Sequence, residues 1–181
     1  AEAAGRLLEA EPEPPSESPQ VLDFGTGSGC LAITLAAHCP RAQICAIDLS
    51  PAALEVARAN AIQHHVENRV RFLAGPGFAP LSSADRFDLI VANPPYLPSA
   101  TLPTLEPEVR DHEPHLALDG GEDGLNLLRQ LADSAGQYLR GSGRLMTEFG
   151  DGQESALAAL FPSAGWEGEL EYRGAGGEAK I

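Results

Sequence analysis

Apolar residues along this chain gather in short runs that alternate between two spacings. QVLDFG (20–25), QICAID (43–48), VRFLA (70–74) and FDLIVAN (87–93) read as strands, the last a continuous apolar run as a buried parallel strand requires. Between them, LAITLAAHC and AALEVARANAIQHH have helical spacing. Ser50 and Pro51 open the second helix, with Ser as N-cap and Pro in the first turn. Farther on, GLNLLRQLADSAGQYL (124–139) predicts an amphipathic helix with core leucines, and GRLMTEFG (143–150) a fifth strand. A helix over ESALAALF and strands near WEGELEYR and the C-terminus complete the pattern, while residues 97–121 read as a long loop. Strand and helix alternate, which predicts an α/β fold with an open, mostly parallel sheet and helices on both faces.

The regular pattern begins near residue 20. Before it, EAEPEPPSESP (9–19) is too rich in Pro, Glu and Ser to bury apolar surface, so residues 1–19 read as a linker-like segment. Residues 20–181 then read as one domain, a size in keeping with ~100–200 residues per domain. No run nears the roughly 18 apolar residues of a membrane span, and the start lacks the basic and apolar regions of a secretory signal. Cys30, Cys39 and Cys45 are odd in number and lack CxxC spacing, so buried free thiols in a reducing cytoplasm are expected, with no metal. The formal charge is −14, with Lys180 the sole lysine and Arg69, Arg71 and Arg86 scattered among carboxylates. Nucleic-acid binders neutralise phosphates with clustered cations, so this balance weighs against a DNA or RNA partner.

DFGTGSG (23–29) leaves the first strand and enters the first helix. Its three glycines permit a tight turn and close approach to a ligand. A dinucleotide fingerprint would be GxGxxG, but the spacing here is GxGxG, with Cys30 at the last position. That favours a nucleoside-like ligand over a pyrophosphate. Asp48 ends the second strand, where an acidic residue receives ribose hydroxyls; capping of the next helix is its structural alternative.

NPPY (93–96) ends the fourth strand, at the sheet edge where such folds bind ligands. The Asn93 side-chain oxygen and the Pro94 carbonyl are two acceptors, and the prolines fix their direction. Two acceptors suit an –NH₂ group, and Tyr96 offers a flat face to an amide or a nucleobase. Holding both N–H bonds in a bent geometry reduces the delocalisation of the nitrogen lone pair and aims it at an electrophile. A methyl sulfonium over the glycine loop supplies that electrophile, and S-adenosylmethionine carries both the sulfonium and a ribose.

The segments VLDFGTGSGCLAITLA, IDLSPAALEVARANA, NRVRFL, FDLIVANPPYLP and EPEVRDHEPHLALDGGEDGLNLL resemble the HemK/PrmC family of protein-glutamine methyltransferases, from about Val21 to Phe149. The resemblance implies a class I methyltransferase fold with S-adenosylmethionine as donor. It implies as acceptor the glutamine of a Gly-Gly-Gln loop in a class I peptide-chain release factor. The expected donor-binding residues are Asp23, Gly25, Thr26, Gly27, Ser28, Gly29, Asp48, Leu49, Gly77 and Asn93. Asn93, Pro94, Pro95 and Tyr96 would hold the substrate amide, with Asn93, Pro94 and Tyr96 catalytic. Asp119 to Gly124 would lie near that site in a packing role.

Three departures accompany the resemblance. The small helical domain that precedes the family core, with its PRPETE-like entry, is not in the sequence. Pro76 stands where an acidic residue usually approaches the adenine amino group, leaving the Gly77 backbone and Phe78 to wall that base. The terminal GAGGEAKI matches weakly. His64 and His65 end a helix, His112 and His115 read as loop residues, and Glu148 as a strand-end residue with no assigned role. A cytoplasmic monomer with no membrane or nucleic-acid contact is expected. The alternatives are a ribosomal-protein glutamine methyltransferase, an adenine-directed nucleic-acid methyltransferase, and a non-catalytic module that binds S-adenosylmethionine.

Overall fold

A computed structural model of the chain describes residues 18–167 and the backbone of 171–174 and 177–180. The linker-like segment expected over residues 1–19 lies outside the described residues, apart from Ser18 and Pro19. The chain divides into two compact units. One extends to Asn93 and resumes over Ala135–Thr147; the other comprises Pro94–Ser134 and the chain from Glu148 onward.

The first unit carries a five-stranded sheet, β1 (Gln20–Phe24), β2 (Gln43–Asp48), β3 (Val70–Ala74), β4 (Phe87–Ala92) and β5 (Leu139–Thr147), in the order β3-β2-β1-β4-β5. Every pairing is parallel. Successive strand residues point to opposite faces, yet consecutive residues Val21 to Phe24, Ile44 to Ile47 and Leu89 to Ala92 are all buried. Both faces of the central strands are therefore covered, and each large apolar side chain so buried stabilises the fold by about 1.5–3 kcal/mol. Helix α1 (Cys30–His38) follows β1, and α2 (Pro51–Gln63) follows β2. As expected, Ser50 caps α2: its hydroxyl accepts from Ala53 N at 3.2 Å, with Pro51 at the first position.

Parallel register brings the carboxyl ends of the strands to one edge: Phe24 pairs with Ile47 and Ala92, and Asp48 with Ala74. The glycine loop, Asp48, the turn after β3 and Asn93 all leave from that edge.

The second unit holds a 3₁₀ turn (Ser99–Thr104), short helices α3 (Pro107–Arg110) and α4 (His115–Leu118), then α5 (Asn126–Ser134) and α6 (Glu154–Ser163). A separate antiparallel pair joins β6 (Glu171–Gly174) to β7 (Gly177–Lys180). Leu125, Leu128, Leu131 and Ala132 are buried, as the leucine spacing over 124–139 required, and so is Leu157 of α6. The Trp166 indole N–H donates to Ala132 O at 2.7 Å, and its ring meets Phe161 edge-on.

Three expectations are corrected. Residues 97–121 are not a structureless loop, because Pro98, Pro107 and Pro114 each introduce a helical turn at its N-terminal side. The helix expected over 124–139 covers only Asn126–Ser134 and gives way to a 3₁₀ turn, Ala135–Tyr138. Tyr138 is drawn into the first unit, where its ring stacks on Phe78 at 5.1 Å and 7°. The fifth strand accordingly starts at Leu139, with a shift of register between its pairings to Phe87 and Leu89.

Candidate active site

In the first unit, the glycine loop is fastened to the end of β2. Gly25 N and Thr26 N both donate to Ile47 O at 2.9 Å, Gly27 N donates to Asp48 Oδ2 at 2.8 Å, and Gly29 N to Thr26 O at 2.9 Å. The amides of Gly25, Thr26, Gly27 and Gly29 therefore already have protein acceptors. A Cβ added at Gly25 or Gly27 would enter open space, whereas one at Gly29 would meet Ile33 Cδ1 at 2.9 Å and Ala57 Cβ at 3.1 Å. The first two glycines thus leave room beside the loop, and the third lets α1 and α2 pack.

Asp23 is buried at 1% exposure. Its Oδ2 accepts from Thr26 Oγ1 at 2.6 Å and Ala32 N at 2.9 Å, while Oδ1 is buried without a partner. Burial pushes its carboxyl up to about 6, opposed by the Thr26 and Ala32 bonds and aided by the nearby Asp48 charge. Thr26 is consequently turned inward, while Ser28 is exposed and its carbonyl accepts from Asn60 Nδ2 at 2.9 Å.

Asp48 has a structural role at the entry to α2 and in the glycine loop. Oδ1 accepts from Ser50 N at 2.8 Å at the entry to α2, and Oδ2 holds Gly27. A carboxylate oxygen has two lone-pair sites, so each retains capacity for a ribose hydroxyl. Leu49 beside it is 52% exposed. After β3, Gly75 N donates to Asp48 O at 3.0 Å, Pro76 is exposed, and Gly77 has φ 53°. Phe78 is not a free wall: its ring is buried between Phe24 at 4.5 Å and Tyr138 at 5.1 Å. Asn93 follows the last residue of β4 and is exposed.

In the second unit, Pro94 is buried, and Pro95 and Tyr96 are half-buried. The chain beyond them is bound to the segment LALDGGEDG. Leu97 N donates to Leu118 O at 3.1 Å, Gly120 N to Leu97 O at 2.8 Å, and Ser99 N to Gly121 O at 2.8 Å. The Asp119 carboxylate takes Ser99 Oγ at 2.6 Å and Gly121 N at 2.9 Å, and these bonds hold its carboxyl below the usual range. Asp119 to Gly121 are therefore the mould for the NPPY end, as the packing role implied. Asp123 pairs with Arg129, which holds its carboxyl down at about 2, and accepts Leu125 N as α5 begins.

Sequence reasoning missed Gln153. Its side chain is 9% exposed and joins Tyr96, Asp123 and Gly150. The one available signal is its place before α6, where Ser, Thr, Asp or Asn would be the usual cap.

Two further readings change. The cysteines are free, but Cys30, at the first position of α1, is exposed and only Cys45 is buried. Arg69, Arg71 and Arg86 are gathered rather than scattered: with Asp85 they line a cavity of about 360 Å³ at the opposite, amino edge of the sheet, where β1 to β4 start. His64 and His65 follow α2 in a turn, with His65 at φ 57°. Glu148 directly follows β5. Among the described residues, no cluster of His, Cys, Asp and Glu is placed to hold a metal ion, and no helix is long and apolar enough to cross a membrane.

A compact ligand suits this edge, because Gly25 and Gly27 leave open space beside a loop that the Asp48 carboxylate holds. The chain is 47% identical over 146 residues to a release factor glutamine methyltransferase of Geobacter sulfurreducens, covering 81% of this chain and 50% of that protein. It is also 47% identical over 154 residues to a protein of the same name from Deinococcus radiodurans, covering 85% and 54%. It thus spans about half the length of the curated relatives it matches. Among solved structures, a ribosomal protein L11 methylase of Lactobacillus delbrueckii superposes with TM-score 0.65 at 20% identity, over 95% of this chain and 72% of that one, a likeness of fold. The fold is that of class I methyltransferases, and S-adenosylmethionine is the methyl donor that accompanies it. The model of the methyltransferase small domain matches residues 3–104 of the 181, and on that match the chain belongs to the methyltransferase small domain family.

Proposed function

We propose that this chain transfers a methyl group to the side-chain amide nitrogen of a protein glutamine, in the Gly-Gly-Gln loop of a class I peptide-chain release factor. The observation that carries the reading is NPPY itself: an exposed Asn93 immediately after β4, followed by a proline-stiffened segment whose continuation, Leu97 to Ser99, is bound by LALDGGEDG. The similarity to release factor glutamine methyltransferases supports the choice of acceptor.

Bound S-adenosylmethionine supplies an electrophilic methyl on a sulfonium. The chain's own work is to hold and orient. Gly25 and Gly27 leave room for the donor, Asp48 receives its ribose hydroxyls, and Asp23 favours its positive charge; Thr26, Ser28, Gly29, Leu49 and Gly77 complete the surround. Asn93 Oδ1 and Pro94 O accept the two N–H bonds of the substrate amide, and Pro95 and Tyr96 support its plane. These acceptors would aim the amide nitrogen's lone pair at that methyl, and the amide proton would be given up to water after transfer, since an alkylated amide nitrogen is strongly acidic. No protein base is needed before that point. In this reading the protein acts in the cytoplasm as a monomer, and the charge of −14 supports the lack of nucleic-acid contact.

The test is transfer of labelled methyl to an intact class I release factor, its Gln→Ala loop variant and a DNA duplex, with the site located by peptide mass spectrometry. Label confined to the wild-type factor is the expected result. Label on DNA, or on the Gln→Ala factor at an equal level, would overturn the proposal.

A further inference from the structure

Pro94 and Pro95 have no backbone N–H, so neither can donate a bond that anchors the segment. Its hydrogen-bonded anchorage starts at Tyr96. One anchor there comes from a side chain 57 residues away: Gln153 Nε2 donates to Tyr96 O at 2.9 Å. The same nitrogen reaches Asp123 O at 3.4 Å, and Oε1 accepts from Gly150 N at 2.8 Å. Both ends of the amide are engaged while the residue is nearly buried.

The surroundings are shaped around this contact. A Cβ at Gly124 would lie 2.2 Å from Tyr96 O and 2.6 Å from Gln153 Nε2; one at Gly150 would lie 3.0 Å from the Tyr96 ring and 3.3 Å from Gln153 Oε1. Two glycines thus clear the space in which the amide meets Tyr96. Gln153 also stands at the N-cap of α6 but makes no side-chain cap to that helix. Its amide is directed to the NPPY segment instead.

We propose that Gln153 is a positioning residue for methyl transfer: its side-chain amide fixes the Tyr96 peptide and so the direction in which the acceptors of NPPY point. The inference rests on, and deepens, the reading of NPPY as the clamp for a substrate amide. Only a group that donates and accepts fits the position. A glutamate there would set a carboxylate against two carbonyl oxygens, but its neutral acid form would again donate to Tyr96 O. A methionine keeps the volume and loses both bonds.

The test compares Gln153→Glu and Gln153→Met with the wild-type chain. With 3-fluorotyrosine incorporated at Tyr96, Tyr138 and Tyr172, the Tyr96 fluorine signal is assigned through Tyr96→Phe. Both variants are expected to shift or broaden the Tyr96 signal and leave that of Tyr138 in place. Transfer to the release factor should fall about 100-fold in kcat, as for a displacement of roughly 1 Å, with donor Kd within about twofold. Lowering the pH from about 8 to about 6 should narrow the deficit of Gln153→Glu, whose burial raises its acid pKa, and not that of Gln153→Met. An unmoved Tyr96 signal in both variants, or a kcat within about twofold of wild type, would overturn the inference. A wild-type chain that methylates no release factor would sink the functional reading instead, and the fluorine signal would still decide whether Gln153 holds Tyr96.

Discussion

Two regions use glycine for opposite purposes. In the first unit, Gly25 and Gly27 face open space, and the loop they form is held by its own N–H groups on Ile47 and Asp48. In the second unit, Gly124 and Gly150 face protein atoms, and what they make room for is Tyr96 and the Gln153 amide. One pair leaves space for a ligand and the other for the chain itself. Stability and ligand affinity should therefore respond in opposite proportion to the same glycine-to-alanine change.

The largest effect is expected where the two regions adjoin in sequence. Asn93→Ala removes one acceptor proposed for the substrate amide, and loss of one such group typically costs about 10²–10³ in kcat. Donor affinity, measured by calorimetry, should change little. Equal loss of donor binding would show that Asn93 serves the donor rather than the amide. Gly124→Ala comes next. At φ +78° a side chain costs about 1–2 kcal/mol, and the contact with Tyr96 O adds about 1–3 kcal/mol of overpacking. Urea unfolding should report this loss. Gly25→Ala, at φ +74°, should lose only the first contribution, about 1–2 kcal/mol, yet weaken donor binding more than Gly124→Ala does. If both variants lost stability alike, the contrast between the regions would be wrong.

Asp23 sharpens the contrast through pH. Its carboxyl lies at about 6 in the fold against 3.8 in the open chain. Below about 4 both states hold the proton, so its ionisation takes nothing from the fold. Between about 4 and 6 the unfolded chain ionises first, so this group makes the fold less stable as pH rises, and above about 6 the loss is complete. The difference of 2.2 between the two values corresponds to about 3 kcal/mol. Asp23→Asn should remove that part of the pH dependence, read as the difference between the two proteins' urea midpoints at low and neutral pH. The same ionisation should strengthen binding of a positively charged donor as pH rises through 6, and not in the variant. A variant with wild-type pH dependence of both quantities would exclude Asp23 as their source.

What the sequence disclosed follows the range of the interactions. β1 to β4, the Ser50 cap and the GxGxG loop are local patterns, and their partners lie a few residues off or on the next strand. Gln153 was invisible because its partner Tyr96 is 57 residues distant and the amide has no local use at its helix cap. The overlong α5 failed for a related reason: the apolar spacing continues through Tyr138, but that ring is claimed by Phe78, far back in the chain. The arginine-lined cavity likewise joins the starts of four strands, so only the sheet order brings Arg69, Arg71 and Arg86 together. Pro76, by contrast, was legible as a departure, and the exposed turn it occupies offers no side-chain acceptor in its place.

The smallest expected effect asks whether the glycine loop depends on the start of α2. Ser50 Oγ accepts from Ala53 N, and losing such a cap costs about 0.5–2 kcal/mol. Asp48, however, is held by the backbone N–H of Ser50, which alanine also provides, and it holds Gly27 in turn. Ser50→Ala should therefore lower the unfolding midpoint slightly and leave donor affinity as in the wild type. A matching fall in donor affinity would mean that Asp48 is oriented by the cap as well as by the backbone. The first region would then rely on the Ser50 side chain as well as on the Asp48 carboxylate, much as the second relies on Gln153.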